Sequence, residues 1–163
     1  MGSARAPVLI TVFSDFQCPY CRQLAQELRA VRATHPSQIA VRYRHFPLRV
    51  HFYARTAVYA ATCASRQGAF ESYHDAPFAQ QDSVGKKSWD AFARTAGIRN
   101  LTAFDDCVRD SVSIQGTIAR DSVAATSLGV VGTPTMLINE WKFLGAPSID
   151  TIEKYVNAAL RGR

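Results

Sequence analysis

The stretch Val8-Leu9-Ile10-Thr11-Val12-Phe13-Ser14-Asp15-Phe16-Gln17-Cys18-Pro19-Tyr20-Cys21 decides the fold. Its first six residues are a continuous β-favouring apolar run, the pattern of a central strand buried on both faces. After Cys21, Leu24, Ala25, Leu28 and Val31 recur at the one-face spacing of an amphipathic helix that ends before Pro36. A CxxC therefore sits at a strand-to-helix junction. There the first sulfur lies beside the unpaired N–H groups of the helix's first turn, which favour an anion. Cysteines so placed have pKa values of about 3.5 to 7.5 instead of about 8.5. Cys18 is the predicted nucleophile, and Cys21, one turn further in, the more shielded resolving thiol.

Working outward, Ile39-Ala40-Val41-Arg42-Tyr43 reads as a second strand, parallel to the first by the right-handed crossover rule. From about residue 52 to 128 the pattern is helical, with Ala-rich segments at 52–67 and 86–97 and further segments around 101–127. Thr135-Met136-Leu137-Ile138 and Trp141-Lys142-Phe143-Leu144 form a hairpin around Asn139-Glu140. A last helix starts at the N-cap Ser148, with Ile149, Ile152, Val156 and Ala159 on one face. The order is βαβ, helical insert, ββα, which with the CxxC resembles the thioredoxin fold: an α/β chain with a discontinuous thioredoxin-like domain expected at 1–50 and 129–163 and a helical subdomain at 51–128. The chain crosses between them near Pro47 to His51 and Leu128 to Pro134.

Composition narrows the function. The 163 residues are 47% hydrophobic, enough for one globular core. No stretch reaches the roughly 18 to 20 apolar residues of a membrane span, and there is no secretory leader pattern. Met1-Gly2-Ser3 has the character of an expression leader, so any natural signal or anchor is expected to be missing. The net charge of +6 is spread along the chain without a basic run or interleaved aromatics, which argues against nucleic-acid binding. No nucleotide, flavin or metal motif is present, so the dithiol itself is expected to be the redox cofactor. Cys63 and Cys107 stand alone, which removes the paired CxxC units of a zinc ribbon.

Phe13-Ser14-Asp15-Phe16-Gln17-Cys18-Pro19-Tyr20-Cys21 resembles the active-site segment of DsbA-like bacterial thiol–disulfide oxidoreductases. Tyr43 to Leu48, Gln67-Gly68-Ala69-Phe70 to His74, and Gly129 to Thr135 resemble further segments of that family in the expected order. Glutaredoxins share the Pro19-Tyr20 dipeptide, but a compact glutaredoxin has no room for the helical insert between Cys21 and Thr133.

The resemblance implies a cis proline at Pro134 facing the dithiol, with Val131, Gly132, Thr133 and Thr135 bordering a substrate groove beside Tyr20. It also implies an extracytoplasmic oxidase acting on unfolded or partly folded cysteine-containing proteins and recharged by a membrane redox partner. A reductase or isomerase of the same fold is the alternative, and a non-catalytic peptide-binding module is a second.

Many members of the superfamily carry a buried acid six residues before the first cysteine; here that position is Val12. Asp15 and His45 are the candidate proton-handling groups in its place. The other reading of His45 is a histidine hydrogen-bonded at a strand end, which also covers His35, His51 and His74. Cys63 and Cys107 lie on separate helices of the insert and are either a structural disulfide or two buried thiols. The family resemblance favours the disulfide, closing about 45 residues and suiting an oxidising compartment.

Overall fold

A computed structural model of the chain describes residues 1–3, 5–110 and 112–162. Arg163, the last residue of the expected thioredoxin-like domain, lies outside them. Strand β1 (Val8–Ser14) is followed by helix α1 (Pro19–Thr34) and strand β2 (Ile39–His45). Five helices come next: α2 (Ala54–Arg66), α3 (Phe70–Ala79), α4 (Trp89–Thr95), α5 (Leu101–Arg109) and α6 (Val112–Ser127), with a 3-10 turn at Gln81–Ser83. Strands β3 (Thr135–Ile138) and β4 (Trp141–Leu144) and helix α7 (Ile149–Arg161) complete the chain.

The sheet order is β2-β1-β3-β4, with β1 parallel to β2 and antiparallel to β3. β1 is thus the central strand, and its C-terminal end delivers the CxxC. Val8, Ile10 and Val12 share one face and pack with Leu24, Leu28 and Val31 of α1 and Ile152, Val156 and Ala159 of α7. The opposite face is covered less completely than its apolar run predicts. Phe13 is sealed with Ala125 of α6 and Val130, whereas Leu9 and Thr11 are half-buried.

The hairpin has the predicted bounds, and Asn139 at φ 51° makes its turn, a conformation Asn tolerates better than most residues. Helix α7 is capped as expected, with the Ser148 hydroxyl accepting from the Thr151 N–H.

The further helical segments expected around 101–127 are α5, which ends at Arg109, and α6, which begins at Val112. One helical expectation needs correction. The helix expected over 86–97 shortens to Trp89–Thr95, while α3 was not singled out as a helix by periodicity. Phe16 of the dithiol loop and Tyr73, Phe78, Phe92 and Phe104 of the insert form a second core that reaches up to Cys18 and Cys21. The insert is therefore packed against the dithiol rather than appended to the sheet.

Helix α6 also joins the two parts. Its buried Asp121 accepts from the Arg44 guanidinium at 2.8 Å and from the His45 N–H at 2.7 Å, tying α6 to strand β2. A carboxylate that must be buried is stabilised here by two donors, one of them charged.

Candidate active site

Cys18 is the N-cap residue of α1, and Pro19 occupies the first helical turn, where its missing N–H costs nothing. Among the described residues no side-chain cap satisfies that turn, and the N–H groups of Tyr20 and Cys21 favour the Cys18 thiolate, although the Cys21 N–H also donates to the Cys18 carbonyl at 3.0 Å. A hydrogen bond from the Cys21 thiol is the largest influence on Cys18. With the Thr133 hydroxyl and those two N–H groups it outweighs burial and lowers the Cys18 pKa to about 5. The Thr133 hydroxyl is buried, completes no well-aligned hydrogen bond among the described residues, and acts on Cys18 as a donor that favours the thiolate. In the thiol state Cys18 Sγ instead faces the Thr133 carbonyl at 3.5 Å.

Cys21 is driven the other way. Burial raises its pKa first, and donating its proton to Cys18 raises it further. The Asp15 N–H, 3.4 Å from Cys21 Sγ, is only a partial offset. The two thiols therefore differ strongly in acidity, one a ready nucleophile and the other a proton carrier, an arrangement suited to sequential disulfide exchange.

The Thr133–Pro134 peptide bond is cis, and Pro134 is buried beside the dithiol loop. Val131 is largely exposed, and Gly132 and Thr133 are half-buried, so these three form an accessible edge that meets the dithiol loop at Cys18, and Tyr20 on that loop is exposed as well. Thr135 does not border it. It is fully buried, with its hydroxyl donating to the Gly132 carbonyl at 2.8 Å, and it shapes the loop from within.

The two expected proton-handling groups are also placed elsewhere. The Asp15 carboxylate accepts from the Gln17 N–H, the Leu48 N–H and His51 Nδ1 at 2.8 to 2.9 Å, which commits it to the loop after β2 and turns it from the sulfurs. His45 is buried against Phe16, Tyr43 and Phe70, hydrogen-bonds to neither cysteine, and is held neutral by burial with its pKa lowered to about 4. The remaining histidines are paired: His35 with Glu153, His51 with Asp15 and His74 with Asp75.

Sequence reasoning missed Gln81, whose side-chain amide donates to the carbonyls of Phe16 and Cys18 at 2.8 and 2.9 Å, bracing the dithiol loop from the insert. It also missed Ser14 and Tyr43. Strand alternation from Val12 would have placed Ser14 on the same sheet face, and the register sets Tyr43 beside Val12.

Cys63 and Cys107 are joined, with Cα atoms 5.8 Å apart, linking α2 to α5 at a distance from Cys18 in sequence and inside the helical core.

A family model described as thioredoxin matches residues 1–158. The chain belongs to the thioredoxin family. This thioredoxin-family chain is similar in structure to DsbA2 of Pseudomonas aeruginosa, with a TM-score of 0.78 and 26% identity over 96% of this chain and 91% of that one. A periplasmic thioredoxin-like protein of Salmonella enterica serovar Typhimurium aligns with a TM-score of 0.80 and 24% identity over 99% and 88%. The fold, helical insert included, is that of the DsbA-like thiol–disulfide oxidoreductases.

A curated relative is the Na(+)/H(+) antiporter NhaA 3 of Salinispora tropica, 35% identical over 161 residues. The match covers 97% of this chain and 24% of that protein, so the family domain spans about a quarter of the length of the curated relatives it matches. Among the described residues no helix is long and apolar enough to cross a membrane.

Proposed function

We propose that this chain is a thiol–disulfide oxidoreductase acting outside the cytoplasm, which donates the Cys18–Cys21 disulfide to unfolded or partly folded cysteine-containing proteins. The observation that carries this reading is the placement of Cys18 Sγ at the N-cap of α1, 3.5 Å from the carbonyl of the residue before the cis Pro134, where its pKa is lowered to about 5. A stabilised thiolate favours the reduced dithiol and makes Cys18 a good leaving group, so the oxidised pair is readily surrendered to substrate.

A substrate thiolate attacks Cys18 of the disulfide, and Cys21 leaves. A second substrate thiolate then attacks the mixed disulfide at the substrate sulfur, forming the substrate disulfide and releasing Cys18 as thiolate. The dithiol is the redox cofactor, and a membrane-embedded oxidant recharges it. The same centre run backwards would be a reductase, and the reduction potential separates them. Equilibration in glutathione buffers near −120 mV supports the oxidase, whereas a value near −270 mV overturns that direction. A peptide-binding module would retain substrate affinity in Cys18→Ser and show no turnover in the unmodified protein.

A second reading is favoured by the antiporter relatives, of which this chain spans about a quarter. In it the domain works beside a membrane transporter, whose ion exchange would respond to the redox state of Cys18–Cys21. Na+/H+ exchange in vesicles carrying antiporter and domain together, measured with the dithiol oxidised and reduced, supports this if the rates differ and removes it if they match.

A further inference from the structure

Behind Cys21, on the side away from the substrate groove, lies a cavity of about 220 Å3. Its walls are the sheet face at Val12, Ser14 and Tyr43, helix α1 from Cys21 to Arg32, and α3. A water takes about 30 Å3 in the liquid, so there is room for several. At the inner end Ser14, Cys21 and Tyr43 line the same cavity, and Cys21 Sγ lies 3.4 Å from the Asp15 N–H, one peptide unit from Ser14. The Ser14 hydroxyl lowers the pKa of both the Cys21 thiol and the Tyr43 hydroxyl, against the stronger effect of burial. The Tyr43 hydroxyl is buried and completes no well-aligned hydrogen bond among the described residues. At the outer end His74 holds Asp75 through Nδ1 at 2.9 Å, and the Asp75 carboxylate is about half exposed. Arg32 and Glu71, 2.8 Å apart, bridge α1 to α3 at the rim.

Exchange at Cys21 moves a proton. When Cys21 resolves a mixed disulfide, its S–H loses the proton, the Cys21–Cys18 bond forms, the Cys18–substrate bond breaks, and the substrate sulfur leaves as thiolate. When Cys21 is itself expelled, it must take a proton back. Burial keeps a free Cys21 thiolate unfavourable, so the proton has to travel with the reaction. Val12 offers no carboxylate, Asp15 is committed to the loop at 48–51, and His45 hydrogen-bonds to neither sulfur.

We propose that the Cys21 proton passes through the Ser14 hydroxyl into the cavity, relayed by the Tyr43 hydroxyl and water to the His74–Asp75 pair and the solvent. Ser14 lines the cavity beside the reacting sulfur, and Tyr43 and His74 extend its reach. The titratable and charged groups facing this route are Arg29 and Arg32 from α1, Glu71, His74 and Asp75 from α3, and the amino group of Met1. This inference rests on the oxidoreductase reading.

The reaction of the reduced protein with 5,5′-dithiobis(2-nitrobenzoate) separates the two. The first thionitrobenzoate is released by Cys18, and the second, with one proton, by Cys21. Ser14→Ala is expected to slow the second release roughly a hundredfold at pH 7, the low end of general acid–base contributions, while leaving the first nearly unchanged. The deficit should shrink toward pH 9, where hydroxide can take the proton. Tyr43→Phe, which deletes a hydroxyl without a well-formed bond, should slow the same phase with less structural cost.

A carboxylate at residue 12 shares the strand face with Ser14, so Val12→Asp in the Ser14→Ala background should restore the second phase. Unchanged second-phase rates in both Ser14→Ala and Tyr43→Phe from pH 5 to 9 would overturn the route. Failure of the unmodified protein to release a second equivalent would instead overturn the exchange reading beneath it.

Discussion

Removing the Cys63–Cys107 bond tests the architecture that supports the site. The bond joins α2 to α5 across 44 positions of sequence. In the chain-entropy model, closing a loop of that length removes about 13 cal/mol/K from the unfolded ensemble, or roughly 4 kcal/mol at 25 °C. For a chain of 163 residues, with an unfolding entropy of about 2.1 cal/mol/K per residue, that corresponds to a fall in Tm of roughly 10 °C.

Cys63 is almost fully buried and Cys107 only partly. The Cys63→Ala/Cys107→Ala double variant therefore also loses packing around the first sulfur. Comparing it with Cys107→Ala isolates that contribution, because both lack the cross-link. The assay is thermal and urea unfolding with Cys18–Cys21 held in one redox state. A double variant within about 1 kcal/mol of the unmodified protein would refute the reasoning, by showing that the helical contacts alone confine this segment.

Two further outcomes follow from the site and its surroundings. Thr133→Val removes a hydroxyl that donates to the Cys18 thiolate and should raise the Cys18 pKa by about one unit, the size of a charge-assisted hydrogen bond, as read from the pH dependence of alkylation. His45 stays neutral in the folded chain down to about pH 4, while the unfolded chain protonates it near 6.5. Its contribution to stability is therefore present above pH 6.5 and lost as pH falls toward 4, and urea unfolding of His45→Leu should show a flatter profile across that window.

Much of the fold was legible because it rests on local signals that agree. The apolar run into Cys18, the one-face spacing from Leu24 to Val31 and the alternating hairpin around Asn139 each set one element, and chain connectivity orders them. Helix α3 was harder to read. It carries Pro77 within its span and buries aromatic and polar residues together, so its apolar periodicity is weak. That helix nevertheless brings His74 and Asp75 to the rear of Cys21.

The dithiol could be found from spacing alone, since a CxxC at a strand-to-helix junction has few other meanings. The groups around it could not, because their roles depend on side-chain direction. Asp15 is three residues from Cys18 in sequence yet faces His51, and Gln81 reaches the Cys18 carbonyl from 63 positions away. Thr135, next to the cis proline, points inward for the same reason: it is the first residue of a buried strand.

The central claim is that Cys18 stands ready as a thiolate while Cys21 holds its proton. The most direct measurement is the rate of iodoacetamide alkylation of the reduced protein from pH 3 to 10, with the modified residue identified by mass spectrometry. The account expects a single modification at Cys18, with a midpoint near pH 5 and a plateau above pH 6.5. Alkylation that keeps rising through pH 8, or that falls on Cys21 first, would contradict it.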